Sequence, residues 1–210
     1  MSFTRKFKDI YLLKKSMAYD KKWIKKIRKP YKNNMNEDDC FFEVDELNYF
    51  EIDFLLHKNY KVSYQQNLFG EKQFYLLKPP LNESLEHFFL VQIIKKSLED
   101  KFDYVKGYRT READIIFKVR NRYIALEIET GRVLKKNKKR FIKKVKSLNE
   151  DYDNDWFFIV TNRDLVKKYK VYGKTLTRKN FLTSISEYVK IPLTNPQPNR
   201  HQKNRRRAQI

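Results

Sequence analysis

The chain changes its hydrophobic rhythm several times, and each change marks an element. Near the start, Trp23, Ile24 and Ile27 recur at helical spacing until Pro30 stops them, which predicts one or two short lysine-rich helices within residues 1–36. "ELNYFEIDFLLHKNY" (46–60) carries a helical apolar stripe, and "KVSYQQNLFGEKQFYLLKPP" (61–80) then alternates like a hairpin that turns near Gly70. Helix plus two-stranded ribbon is the pattern of a winged-helix end, or of a plain appendage. The double proline at 79–80 predicts a boundary.

Beyond it the order becomes regular. "LNESLEHFFLVQIIKKSLEDKF" (81–102) predicts an amphipathic helix with Asn82 or Ser84 as its cap. Strands are predicted at 113–119 and 123–129, and a helix over "KKNKKRFIKKVKSLNE" (135–150). "DWFFIVTN" (155–162) predicts a buried strand, "RDLVKKYKVYG" (163–173) a short helix ending at Gly173, and "TRKNFLTSISEYVK" (177–190) a last helix. The tail 192–210 is rich in Pro, Asn and Arg and is expected to be disordered. Three regions follow: 1–80, 81–191 and 192–210. The expected class is α/β, a mixed central sheet flanked by helices, with a basic N-terminal helical appendage.

Charge narrows the partner. With 47 Lys and Arg against 26 Asp and Glu, the net charge is +21, a field that attracts a polyanion, nucleic acid foremost. Cys40 is the only cysteine, which rules out an intrachain disulfide and fits a reducing, cytoplasmic location. Apolar runs such as Phe88–Val91 and Trp156–Val160 fall far short of the ~20 residues of a membrane helix, so no membrane role is expected.

Against this positive background, Asp114, Glu127 and Glu129 stand in two apolar strands. If Asn121 and Arg122 form the turn, Arg120 faces Tyr123 and Asp114 faces Glu129. Alternation then puts all three acids on one face, with Ile124, Leu126 and Ile128 on the other. Such a cluster needs neutralising, either by Lys and Arg neighbours or by a hard divalent cation.

The stretch resembles the core of the PD-(D/E)XK nuclease superfamily: an acid opening one strand, a hairpin, then acid–x–Lys on the next. Within it, 82–165 is similar to archaeal Holliday-junction resolvases and archaeal virus nucleases. Asp114 matches the first acid, with Ala113 where the family often has proline. Glu127 matches the second, and Glu129 stands in the lysine place. The resemblance implies a restriction-endonuclease-like core, Mg²⁺ or Mn²⁺ on Asp114, Glu127, the Ile128 carbonyl and Glu86 of the first helix, and hydrolysis of DNA phosphodiesters, double-stranded or branched, by a homodimer. Glu83 lies one turn before Glu86, and an exposed helix acid is the plainer role for either. The absent lysine is expected from the next helix: Lys138 follows Leu134 by four residues on its apolar stripe, with snorkelling as the alternative.

Arg109, Arg111, Lys135, Lys136, Lys139, Arg205, Arg206 and Arg207 are expected phosphate contacts without sequence information. Other chemistries are poorly supported. "YGKT" (172–175) has Lys168 where a phosphate-binding loop needs glycine. His57, His87 and His201 lack metal spacing, no glycine-flanked serine suggests a triad, and Tyr152, Tyr169 and Tyr172 lack the Arg–His–Arg company of a recombinase. The rival to a nuclease is a non-catalytic DNA-binding protein or regulator that keeps the fold and uses the acids structurally. An RNA- or membrane-binding basic adaptor is a third class.

Overall fold

A computed structural model describes residues 40–81, 83–107 and 113–190. The helices expected in 1–36, Asn82, Arg109, Arg111 and the tail with Arg205, Arg206 and Arg207 lie outside the described residues. The described chain divides into two compact units, 40–65 with 72–81, and 66–71 with 83–190.

In the first unit, β1 (Phe41–Glu43), a 3-10 turn (Val44–Glu46), α1 (Tyr49–His57), β2 (Lys61–Gln66) and β3 (Lys72–Leu77) follow in order. The strands form a sheet in the order β1-β3-β2, with Phe41 opposite Leu77 in the antiparallel pair. Helix α1 starts where Asn48 accepts from the Glu51 N–H at 3.0 Å while Glu51 accepts from the Asn48 N–H at 2.8 Å, a reciprocal cap. Between β2 and β3, in the 66–71 segment counted with the second unit, Gly70 supplies a φ of 94°, a backbone state glycine adopts readily. Val44, Ile52, Leu55, Tyr60 and Leu76 form the core.

The second unit holds α2 (Leu85–Glu99), β4 (Val105–Gly107), β5 (Ile115–Val119), β6 (Arg122–Glu129), α3 (Arg132–Lys136), α4 (Lys138–Tyr152), β7 (Trp156–Val160), a 3-10 turn (Arg163–Leu165), α5 (Val166–Tyr169), β8 (Thr175–Thr177) and α6 (Phe181–Lys190). Its sheet runs β4-β5-β6-β7-β8, antiparallel as far as β6 and parallel from β6 to β8. The switch follows from the connections. A tight turn joins β5 to β6, whereas α4 intervenes before β7 and a helical crossover brings the next strand back parallel.

Both sheet faces are covered. The α4 stripe of Phe141, Val145, Leu148 and Tyr152 shares a core with Tyr123, Ala125, Phe158 and Val160. On the other face Phe102, just past α2, packs its ring 5.0 Å from Phe117. Consequently β6 is buried at every residue but Arg122, so its two glutamates sit where a charge is expensive.

Two expectations change. The hairpin pairs Val119 with Arg122 and Ile115 with Leu126, so the turn falls on Arg120, at φ 52°, and Asn121. Continued one step, this register sets Asp114 against Glu127 rather than Glu129. The shift is two residues, so the shared face survives. Its reason lies in the turn, where Arg120 accepts a positive φ; β5 begins only at Ile115, and the Asp114 carboxylate before it takes the Ile128 N–H at 2.7 Å. The helix expected over 135–150 is broken at Asn137, whose φ of −149° ends α3 and whose side chain caps α4 by accepting from the Arg140 N–H at 3.0 Å. Lys138 is therefore the first, exposed residue of a new helix and has lost its phase with Leu134.

A candidate acidic site at the ends of β5 and β6

Each acid is held by different partners. Asp114 Oδ2 receives the Ile128 N–H and lies 3.3 Å from His87 Nε2 of α2. The other nitrogen of that ring, Nδ1, is 2.6 Å from Glu83 Oε1, one turn earlier. Glu127 Oε1 is ion-paired with Lys144 Nζ of α4. Glu129 Oε2 accepts from the Tyr169 hydroxyl of α5 at 3.0 Å. Four separate elements thus converge on one end of the sheet.

Burial sets the electrostatics. Glu127 is 3% and Glu129 4% exposed. Desolvation first, then the Asp114 charge, push the Glu127 carboxyl up to about 8, with Lys144 opposing them. Burial likewise raises Glu129, while the Tyr169 hydrogen bond pulls it back. Burial alone would lower His87, but its bonds to Asp114 and Glu83 reverse this and carry it up to about 10. Lys144 is also raised: burial disfavours its charge, and Glu127 and Asp114 more than compensate.

Among the described residues, no three His, Cys, Asp or Glu side chains are grouped to hold a metal ion. Asp114 and Glu127, close enough for the Asp114 charge to act on Glu127, still suit Mg²⁺ or Mn²⁺, which is usually bound through one or two carboxylates plus waters. Glu127 Oε2 supports that fit: it is buried with no hydrogen-bond partner among the described residues, an acceptor without its donor or cation.

The placement of each expected residue can be stated plainly. Asp114, Glu127, Glu129 and Ile128 come together. Glu86 is exposed on α2, and it is Glu83 that reaches the cluster, through His87. Lys138 is exposed, and the lysine on the acids is Lys144. Lys135, Lys136 and Lys139 are exposed on α3 and α4. Lys144, His87 and Tyr169 were missed as site residues. Lys144 had a signal, because it follows Phe141 by three and precedes Val145 on the buried stripe. His87 had a weaker one, four residues after Glu83. Tyr169 had none, since its partner is forty positions away.

No helix among the described residues is long and apolar enough to cross a membrane. No family model, curated protein or solved structure matches the chain.

Proposed function

We propose that the chain is a divalent-metal-dependent nuclease of the PD-(D/E)XK kind, hydrolysing DNA phosphodiester bonds with the restriction-endonuclease-like core of its second unit. The observation that carries this reading is Lys144. A lysine from the next helix stands on Glu127, supplying from α4 the cation that the motif lacks at Glu129. The unpartnered Glu127 Oε2 adds an unused acceptor on the same face.

Asp114, Glu127 and the Ile128 carbonyl would hold the ion. A bound Mg²⁺ or Mn²⁺ supplies charge masking for the phosphate and makes a water acidic enough to attack near neutral pH. The chain does the positioning. His87, gripped by Glu83, and the Ile128 N–H fix the orientation of Asp114. Lys144 is three rotatable donors on a half-exposed stem, able to keep Glu127 and reach a phosphate oxygen. Tyr169 keeps Glu129 turned towards α5. Outside the centre, Arg109, Arg111, Lys135, Lys136, Lys139 and the Arg205–Arg207 run contribute phosphate contacts, and a homodimer would present two centres to two strands.

A cleavage panel tests the reading. Linear, branched and single-stranded DNA should be cut with Mg²⁺ or Mn²⁺ and not in EDTA, and Asp114→Asn and Glu127→Gln should each lower the rate by at least about a hundredfold, the scale of losing a transition-state charge partner. A second reading keeps one observation in its favour: His87 and Lys144 already neutralise Asp114 and Glu127, as a non-catalytic DNA-binding protein would require. Calorimetric titration with Mn²⁺ giving the same trace for wild type and Asp114→Ala would favour that module over the enzyme.

A further inference from the structure

A second feature of this sheet lies two strands from the acids. At the ends of β7 and β8 a cavity of about 780 Å³ is lined by Arg163, Lys167, Arg178 and Lys179, against a single carboxylate, Asp164. That volume lies in the range of small-ligand sites, ~300–1,000 Å³. Arg163, Lys167 and Lys179 make no ion pair among the described residues. Four cations therefore border one concavity, three of them on exposed side chains, which gives the cavity a positive field that favours an anion.

Sheet register relates this cavity to the acids. Glu129 is opposite Val160, and Val160 opposite Thr177; likewise Glu127, Phe158 and Thr175 form the row behind. Residues in register share a face, so Thr175 and Thr177, both lining the cavity, lie on the face that carries Glu127 and Glu129. Two strand spacings separate them, roughly 10 Å. Thr161 closes the gap between, since it lines the cavity and its N–H donates to the Glu129 carbonyl at 3.2 Å. At roughly 3.4 Å of axial rise per nucleotide, that span is a few nucleotides of one strand.

We propose that the Arg163–Lys167–Arg178–Lys179 cavity is a phosphate subsite, seating a nucleotide of the bound strand a few positions from the acidic centre. The inference rests on the nuclease reading for its role, but the binding itself needs no metal and no cleavage. Its ligand is the phosphate of a nucleic-acid strand, supplied either by a 5′-terminal monophosphate or by an internal phosphodiester.

Binding in EDTA, read by fluorescence anisotropy with labelled single strands, separates this claim from catalysis. The quadruple variant Arg163→Gln, Lys167→Gln, Arg178→Gln and Lys179→Gln is compared with a control that removes exposed charges of the first unit, Lys58→Gln, Lys61→Gln and Lys72→Gln. A circular-dichroism melt establishes that each variant is folded, and single Lys167→Gln and Lys179→Gln variants, at exposed positions, serve should the quadruple one fail to fold. The expected result is a loss of affinity of at least about tenfold in the quadruple variant and a salt slope shallower by ~0.9 for each phosphate no longer neutralised, or ~0.7 on single strands. The control should lose far less. A several-fold preference of wild type for a 5′-phosphorylated over a 5′-hydroxyl strand, absent in the variant, assigns the site to a chain end. Equal loss on both strands assigns it to an internal phosphate. Cavity and control variants that weaken binding alike would overturn the subsite. A wild type that binds as described but never cuts with Mg²⁺ or Mn²⁺ would overturn the nuclease reading and leave the subsite standing.

Discussion

Glu127 is the residue on which the site's energetics turn. One carboxylate oxygen is paired with Lys144 and the other is buried with no partner among the described residues, so the side chain is only half satisfied. Removing one member of a buried ion pair costs about 3–5 kcal/mol, because the remaining charge stays desolvated. Lys144 is 31% exposed, which admits water, so Lys144→Met should cost nearer ~1–3 kcal/mol in urea unfolding. Adding Glu127→Gln should restore most of that loss; a double variant weaker than Lys144→Met alone would show that the pair is not the source. A pH dependence follows from the same cluster. His87 rises from 6.5 to about 10 in the folded chain, so the stability it adds is complete below pH 6.5 and lost as pH climbs to 10. Glu127 rises from 4.5 to about 8, so folding favours its protonated form and that contribution disappears between pH 4.5 and 8. Both signs agree. In EDTA the urea midpoint should fall from pH 6 to pH 10, and His87→Gln should flatten the portion between 8 and 10. Parallel curves for wild type and His87→Gln would refute the assigned role of the imidazole.

Among the elements, long periodic ones were legible and short ones were not. The stripes of α2 and α4 and the five apolar residues of β7 are strong local signals, and Ser84 caps α2 as one of two expected residues, its Oγ accepting the His87 N–H at 3.3 Å. Strands β1, β4 and β8 are three residues each, and pairing with a neighbour, invisible to periodicity, is what makes them strands. The hairpin face was readable because alternation survives a two-residue slip, whereas the opposing partner of Asp114 was not, because it depends on Arg120 accepting a φ of 52°. A lysine beside the acids was expected at Lys138, but the unforeseen break at Asn137 takes that residue out of phase, and the lysine that pairs with Glu127 is Lys144. Gly173, foreseen as the end of a helix, has a stronger reason to be glycine. A Cβ there would lie 2.8 Å from Trp156 Cζ2 and closer still to Cη2, so the turn into β8 passes flat against the indole. Trp156 is fixed in turn, with its Nε1–H donating to Asn149 of α4 at 2.9 Å. Gly173→Ala should therefore cost ~1–3 kcal/mol by overpacking, read as a lowered thermal midpoint. Trp156→Phe should relieve part of it in the double variant; strictly additive losses would mean the indole is not what the methyl meets.

At the scale of the whole molecule, the +21 charge and the buried acids pull in opposite directions on a nucleic acid, and the balance is measurable. Lysines spread over α3, α4 and the cavity give a positive field that, on the proposed reading, would draw DNA in without choosing a sequence. Asp114 and Glu127 sit inside that field and keep two of its cations, His87 and Lys144, from the phosphate they are proposed to work on until a divalent ion intervenes. Cutting and binding should therefore separate. In EDTA, Asp114→Asn combined with Glu127→Gln removes local negative charge and should bind DNA as tightly as wild type or a few-fold more tightly. The slope of log K against log salt should be steep in both proteins, roughly −0.9 for each of about six or more phosphates neutralised. Adding Mg²⁺ should then improve wild-type binding and leave the double variant unchanged apart from ionic screening, because only the wild type has carboxylates to receive the ion. If the double variant instead binds much more weakly in EDTA, the acids help hold the DNA through the protein itself. In that event they serve as structure within a binding module, and the positive field has no catalytic centre to feed.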